Sequence, residues 1–139
     1  MINYVSCHDN LTLWDKLQIS RPDCDAGERL AMNRLAAAMV FTAQGVPFFL
    51  GGEEFARTKP AGKNGEISEN SYNLPYETNV LRYDWSDGQK GLQQYYRGLI
   101  AFRKAHKGLR MTDAEEIRQS ILFMEMTSEQ TIAFTIRQP

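Results

Sequence analysis

The chain opens on a short apolar run, Ile2 to Val5, that breaks off into polar residues at Ser6, His8, Asp9 and Asn10. A continuous apolar run of this length reads as a buried strand, expected over Ile2 to Ser6. Leu11 to Leu17 reads as a short helical or irregular excursion, and Ile19 to Asp23 as a loop. Asp25 has the character of an N-cap, with Glu28 three residues later completing a capping-box pattern. A helix is therefore expected from about Ala26 to Gln44, with Gly45 as its stop. Its second half, Leu35 to Phe41, is apolar on most faces, and such a helix calls for burial on more than one side. Val46 to Leu50 is a second apolar run, the pattern of a parallel strand covered on both faces. Strand, helix and strand make one βαβ unit with a right-handed crossover.

The pattern then loses its period. Ala56 to Asp84 carries Pro60, Gly62, Asn64, Gly65, Asn70, Asn73, Pro75 and Asn79. A loop this long inside a compact domain is either functional or disordered. Tyr72, Tyr76, Tyr83 and Trp85 favour an ordered, functional one. Helical spacing returns from about Gly88 to Lys107, where Leu92, Tyr95, Tyr96, Leu99 and Phe102 form a core stripe and Gly108 is the stop. The period then changes to two: Ser120 to Met126 and Thr131 to Ile136 read as a hairpin around residues 127–130. The fold expected is α/β: the last two strands and helices of a (β/α)8 barrel over residues 1–110, then the first hairpin of a β-sandwich over 111–139. A complete barrel of that type needs roughly 200 residues or more, and the chain has 139, so a fragment is expected. Open strand edges then favour self-association.

Composition narrows the function classes. Hydrophobic residues make up 42% of the chain, which is not the signature of disorder. A formal net charge of -1, with no basic stripe, argues against a nucleic-acid partner. No apolar run approaches the roughly 20 residues of a membrane span. Two cysteines, Cys7 and Cys24, make no disulfide framework and read as free thiols. Met1 runs straight into a strand, with no signal peptide in view. The compartment stays open between cytoplasmic and secreted.

Candidate chemistry gathers at the strand ends. A His8-Asp9 pair just past a strand is placed where α/β barrels keep their reactive groups. Asp9 has a second reading as a helix cap, and His8 as a hydrogen-bonded structural histidine. Glu53 and Glu54 end the second apolar run and invite a catalytic reading; the reading preferred is that one of them supports the strand end and hydrogen-bonds neighbouring backbone. Tyr72 and Trp85 fit stacking on the apolar face of a pyranose, and packing that anchors the long loop is at least as good a reading. His8, Asp9, Glu53 and Glu54 together suggest an oxygen-rich divalent-metal hydrolase, but their spacing matches no metal signature.

Residues 4–17, Tyr4-Val5-Ser6-Cys7-His8-Asp9-Asn10-Leu11-Thr12-Leu13-Trp14-Asp15-Lys16-Leu17, resemble the seventh-strand motif of the α-amylase superfamily in its type I pullulanase version. Residues 45–55, Gly45-Val46-Pro47-Phe48-Phe49-Leu50-Gly51-Gly52-Glu53-Glu54-Phe55, resemble the eighth-strand motif. Arg57-Thr58-Lys59, Asn70 to Asn73 and Asp84-Trp85 continue in the order expected of debranching enzymes. The resemblance implies a retaining glycoside hydrolase cleaving α-1,6-glucosidic bonds in pullulan, branched starch or glycogen, through a carboxylate nucleophile and a carboxylic acid donor. It implies that Asp9 is the family's third carboxylate, the catalytic group that binds sugar hydroxyls and holds the ring distorted. It makes His8 and Asn10 sugar contacts; Tyr72 is a further substrate-binding candidate on the strength of its aromatic face alone. The partner implied is an α-glucan oligosaccharide or polysaccharide, with no cofactor and no metal. Cys7 stands where many amylases carry Asn. The family's nucleophile and acid follow its fourth and fifth strands, and no segment here matches those motifs. The isolated chain is therefore expected to be inactive, and a non-catalytic glucan-binding or structural remnant is the competing reading.

Overall fold

The computed structural model describes residues 1–61, 66–126 and 128–137. Two parallel strands, β1 (Ile2–Asn3) and β2 (Val46–Pro47), pair with Ile2 opposite Val46 and Asn3 opposite Pro47. The βαβ order read from the sequence is present, but the strands are shorter than the apolar runs that announced them. Pro47 has no N–H to donate, and the ladder closes through Val46 N to Met1 O (3.0 Å) and Phe48 N to Asn3 O (2.9 Å). The expected burial on both faces is also corrected. Ile2 and Val46 are 64% and 60% exposed, because among the described residues this sheet has two strands and its faces carry little cover.

Helix α1 (Leu13–Ser20) is capped by the Thr12 hydroxyl, which accepts from Asp15 N, and it runs into the segment expected to be loop. Helix α2 (Ala26–Thr42) starts on the Asp25–Glu28 capping box, with both reciprocal bonds formed. Its Ala37, Val40 and Phe41 are buried while Leu35 and Met39 are exposed. The helix thus buries one stripe, and the expectation of cover on several sides fails here. Gly45 follows at φ 96°, where a side chain would be strained and a Cβ would meet Met1 O at 2.7 Å.

The stretch from 56 to 84 is not featureless. A 3-10 turn at Glu53–Phe55 leads into it. Two short antiparallel strands follow, β3 (Pro60–Ala61) and β4 (Glu66–Ile67), then a one-turn helix α3 (Tyr76–Asn79). Gly62, Asn64 and Gly65, named above among the residues of this stretch, lie outside the described residues. Asn79 fastens the far end by donating from Nδ2 to Ser71 O at 2.7 Å, while its own carbonyl accepts from Arg57 at 2.6 Å.

Helix α4 (Asp87–Ala105) begins on a second capping box, Ser86 with Gln89. Leu92 and Tyr96 are fully buried against Ala37, Phe41 and Ala56, with Tyr95 and Leu99 packed at the margin. Phe102 was expected in this core and is 48% exposed; it lies against the His106 ring, with centroids 4.2 Å apart, rather than against α2. Arg103 takes the inner position. Its guanidinium donates to the carbonyls of Phe41, Ala43 and Gly45 at 2.6–2.8 Å, which satisfies carbonyl groups that the end of α2 would otherwise leave without partners.

A short helix α5 (Ala114–Ser120), unforeseen in the sequence pattern, precedes the hairpin of β5 (Ile121–Phe123) and β6 (Phe134–Ile136). The two strands pair antiparallel with Leu122 opposite Thr135. Of the expected hairpin turn, residue 127 lies outside the described set. The architecture is α/β, with helices α2 and α4 packed on each other and the parallel strand pair at the end of α2.

Candidate active site

The polar turn after β1 is held from outside rather than by its own backbone. Lys59, only 2% exposed, reaches back and donates from Nζ to His8 O (2.8 Å) and Asn10 O (3.2 Å). These two carbonyls flank Asp9. Lys16 on α1 donates to Val5 O at 3.0 Å. Lys59 is itself fixed by Asp15, a fully buried carboxylate that accepts from the Lys59 backbone N–H (2.9 Å) and from the Thr58 hydroxyl. Burial, and then the neighbouring Arg57 charge, lower the Lys59 ammonium pKa from its ordinary value; Asp15 and Asp9 oppose them. Asn10 sits at φ 64°, a left-handed conformation in which its Oδ1 accepts from Leu11 N at 2.7 Å.

This bracing leaves the side chains of His8 and Asp9 in solvent, 83% and 79% exposed, with Nε2 and Oδ2 3.4 Å apart. Both line a cleft of about 190 Å³ shared with Arg57, Lys59, Glu69 and Tyr72. Of the sequence-derived site residues the structure thus brings together His8, Asp9 and Tyr72. Asn10 lies on the same turn but outside the cleft lining. Tyr72 is 83% exposed, with an aromatic face open to a ligand. Trp85 is otherwise engaged: it stacks on Phe55 at 4.7 Å between centroids and donates from Nε1 to Arg82 O. Of its two readings, packing is the one realised.

Glu53 and Glu54 follow the supporting reading. Glu54 accepts from Gly52 N at 2.9 Å. Glu53 is buried and accepts from the Ser6 hydroxyl (2.5 Å) and from the Tyr96 hydroxyl (2.8 Å), which in turn receives Asn33 Nδ2 at 3.1 Å. Burial pushes the Glu53 carboxyl pKa up, against the two hydroxyl hydrogen bonds that favour its ionised form. This network ties the end of the first apolar run to both long helices. It leaves little carboxylate free for a cation, and among the described residues no three His, Cys, Asp or Glu side chains cluster as metal ligands.

Sequence reasoning missed Lys59, Asp15 and Thr58. Asp15 gave a faint signal: an acid three residues after the Thr12 cap, set among Leu13, Trp14 and Leu17. Lys59 stands in the Arg57-Thr58-Lys59 match, but nothing in the sequence marks it as buried, since a lysine in a long polar loop is ordinarily solvated.

An imidazole, a carboxylate and an aromatic side chain thus stand around one cleft beyond a parallel strand. The chain is pullulanase-like, of the glycoside hydrolases in the α-amylase superfamily. It is 38% identical over 135 residues to the pullulanase of Bacillus subtilis (strain 168), covering 97% of this chain and 18% of that protein. It is 33% identical over 97 residues to the isoamylase of Pseudomonas amyloderamosa, covering 70% of this chain and 12% of that one. Among solved structures, the pullulanase of Paenibacillus barengoltzii in complex with maltohexaose and α-cyclodextrin matches with a TM-score of 0.88 and 47% identity, over 98% of this chain and 20% of that one. The chain thus spans about a fifth or less of the length of these relatives. No family model matches it.

Proposed function

We propose that this chain is the sugar-orienting part of a debranching hydrolase that cleaves α-1,6-glucosidic bonds in pullulan, branched starch or glycogen. It corresponds to the last two strands and helices of a (β/α)8 barrel over residues 1–110, followed by the opening hairpin of a β-domain over 111–139. Asp9 is the catalytic carboxylate that grips hydroxyls of the sugar at the cleavage point. His8 donates to the same ring. Tyr72 offers its face to a neighbouring glucose, and Asn10 keeps its Nδ2 group as a donor for a sugar hydroxyl. Hydroxyl contacts of this kind favour cleavage when they tighten as the ring flattens toward the oxocarbenium-like transition state. The nucleophile and the general acid come from other segments of such an enzyme, so this chain by itself binds glucan without cleaving it.

The observation that carries the reading is the convergence of His8, Asp9 and Tyr72 on one cleft beyond β1. The complex of the Paenibacillus barengoltzii pullulanase with maltohexaose supports an α-glucan as the ligand. The test is calorimetric titration of the chain with maltotetraose, beside a pullulan turnover assay with and without chelator. Saturable binding that weakens at least tenfold in Asp9→Ala and in Tyr72→Ala is expected. Failure of maltotetraose to bind, or turnover of a different ester or amide substrate that a chelator abolishes, overturns the proposal in favour of a structural remnant or a metal hydrolase.

A further inference from the structure

We infer that Lys59 is a positioning residue, which sets the His8–Asp9 pair by clamping the carbonyls of His8 and Asn10 on either side of Asp9. The inference rests on the sugar-binding reading above for its functional consequence, though not for its structural one. The turn from Ser6 to Asn10 belongs to no helix or strand, and Asn10 takes a left-handed conformation. Within the turn the Cys7 thiol reaches Asp9 O at 3.7 Å, a weak contact. The Lys59 ammonium holds the carbonyls on both sides of Asp9, and so places the backbone from which its carboxylate projects. A single ammonium with three donors suits this role better than a planar guanidinium.

The clamp has a second tier. Asp15 on α1 receives both the Lys59 backbone N–H and the Thr58 hydroxyl. The segment after the second apolar run is therefore locked to the helix that follows the first. Lys59 lines the cleft as well, yet its Nζ bonds point to the turn. Arg57, beside it, donates to Gly51 O and Asn79 O instead. Asp9 is thus placed by residues 50 positions downstream, and the two motifs at the two strand ends act as one unit.

The chain carries two histidines, His8 and His106, which makes the test direct. With histidine labelled at the ε1 carbon, NMR reads His8 as the reporter on the turn and His106 on α4 as the internal control. Lys59→Met is expected to broaden or split the His8 signal and leave His106 unmoved. Asp15→Asn should do the same. A through-space effect of the lost charge would instead shift one sharp His8 signal in opposite directions in the two variants, and that result overturns the inference. So does a His8 signal unchanged from wild type in both. If Lys59→Met moves His106 too, the fold has been lost, and Asp15→Asn alone decides. In the same samples maltotetraose affinity is expected to fall about tenfold with Lys59→Met. A wild-type chain that ignores maltotetraose sinks the sugar reading while leaving the His8 result to decide the role of Lys59.

Discussion

Tyr96 on α4 donates its hydroxyl hydrogen to Glu53 at 2.8 Å, joining the middle of the longest helix to the turn that follows β2. Both groups are buried, and the carboxylate also accepts from Ser6, so three parts of the chain distant in sequence meet at one acid.

This acid makes stability depend on pH in an uncommon direction. Burial raises the folded-state pKa of Glu53 above its ordinary value of 4.5. Between that value and the raised one, the folded chain holds a proton that the unfolded chain has released. Stability then falls as pH rises through this window and levels off above it. Glu53→Gln removes the titration. Thermal unfolding from about pH 4.5 to neutrality is expected to show wild type losing more midpoint than Glu53→Gln. A parallel decline in both would assign the pH dependence to other groups.

Arg103 offers a second stability test. It is 6% exposed and satisfies three carbonyls around the end of α2. Arg103→Met keeps much of the buried stem but leaves those acceptors without their donor. Unsatisfied buried groups cost about 1–3 kcal/mol each, less where water can enter. A loss on the order of 3 kcal/mol is expected in denaturant titration. A loss below about 1 kcal/mol would mean that solvent replaces the guanidinium.

Catalytic incompetence of the isolated chain follows from the proposed division of labour. No Asp or Glu here is assigned as nucleophile or general acid, and the retaining mechanism needs both. Incubation with pullulan and assay of reducing ends should give no turnover above buffer. Turnover that disappears in Asp9→Ala would show that the chain holds a complete set of reacting groups.

In a full-length enzyme containing this segment, Asp9→Asn should remove most activity while leaving the fold intact. His8→Ala should weaken both KM and kcat. Hydroxyl contacts that strengthen in the transition state contribute several kcal/mol in this chemistry, so a loss of a hundredfold or more in kcat/KM is expected for Asp9→Asn. Wild-type turnover by that variant would refute the assignment.

The sequence carried the elements whose signals are local. Asp25 and Glu28 announced the start of α2, because a capping box is closed within one turn. His8 and Asp9 are read from the motif resemblance and from their place at the end of an apolar run, and Tyr72 from its aromatic face; the structure places all three around one cleft. What stayed hidden was long-range. Lys59, Asp15 and Arg103 are buried charges whose partners lie at least 43 positions away. No periodicity reports them, since apart from the Thr58 hydroxyl on Asp15 their distant partners are backbone carbonyls and amides that every residue possesses. Helical spacing also misplaced Phe102, because it marks a face of α4 without saying how far α2 extends across it.

Self-association is the last expectation. Ile2, Tyr4, Val46 and Phe48 expose apolar surface on and beside the two-stranded parallel sheet. Leu35 and Met39 on α2 join Ile121, Phe123, Ile132 and Phe134 of the hairpin around an apolar cavity of about 670 Å³. Leu35, Met39, Phe123 and Ile132 are each more than half exposed. Contiguous exposed apolar patches drive association, and open strand edges give it direction. A second copy can satisfy both, by adding a strand beside β1 or β2 or by laying its own hairpin into the cavity. Light scattering at micromolar concentration is expected to show species of two or more chain masses. Leu35→Glu together with Phe123→Lys should shift the distribution toward the monomer, because charges placed in the cavity oppose its burial. A single monodisperse species of one chain mass in wild type, with cooperative thermal unfolding, would show that these surfaces remain in water at little cost and would remove the ground for association.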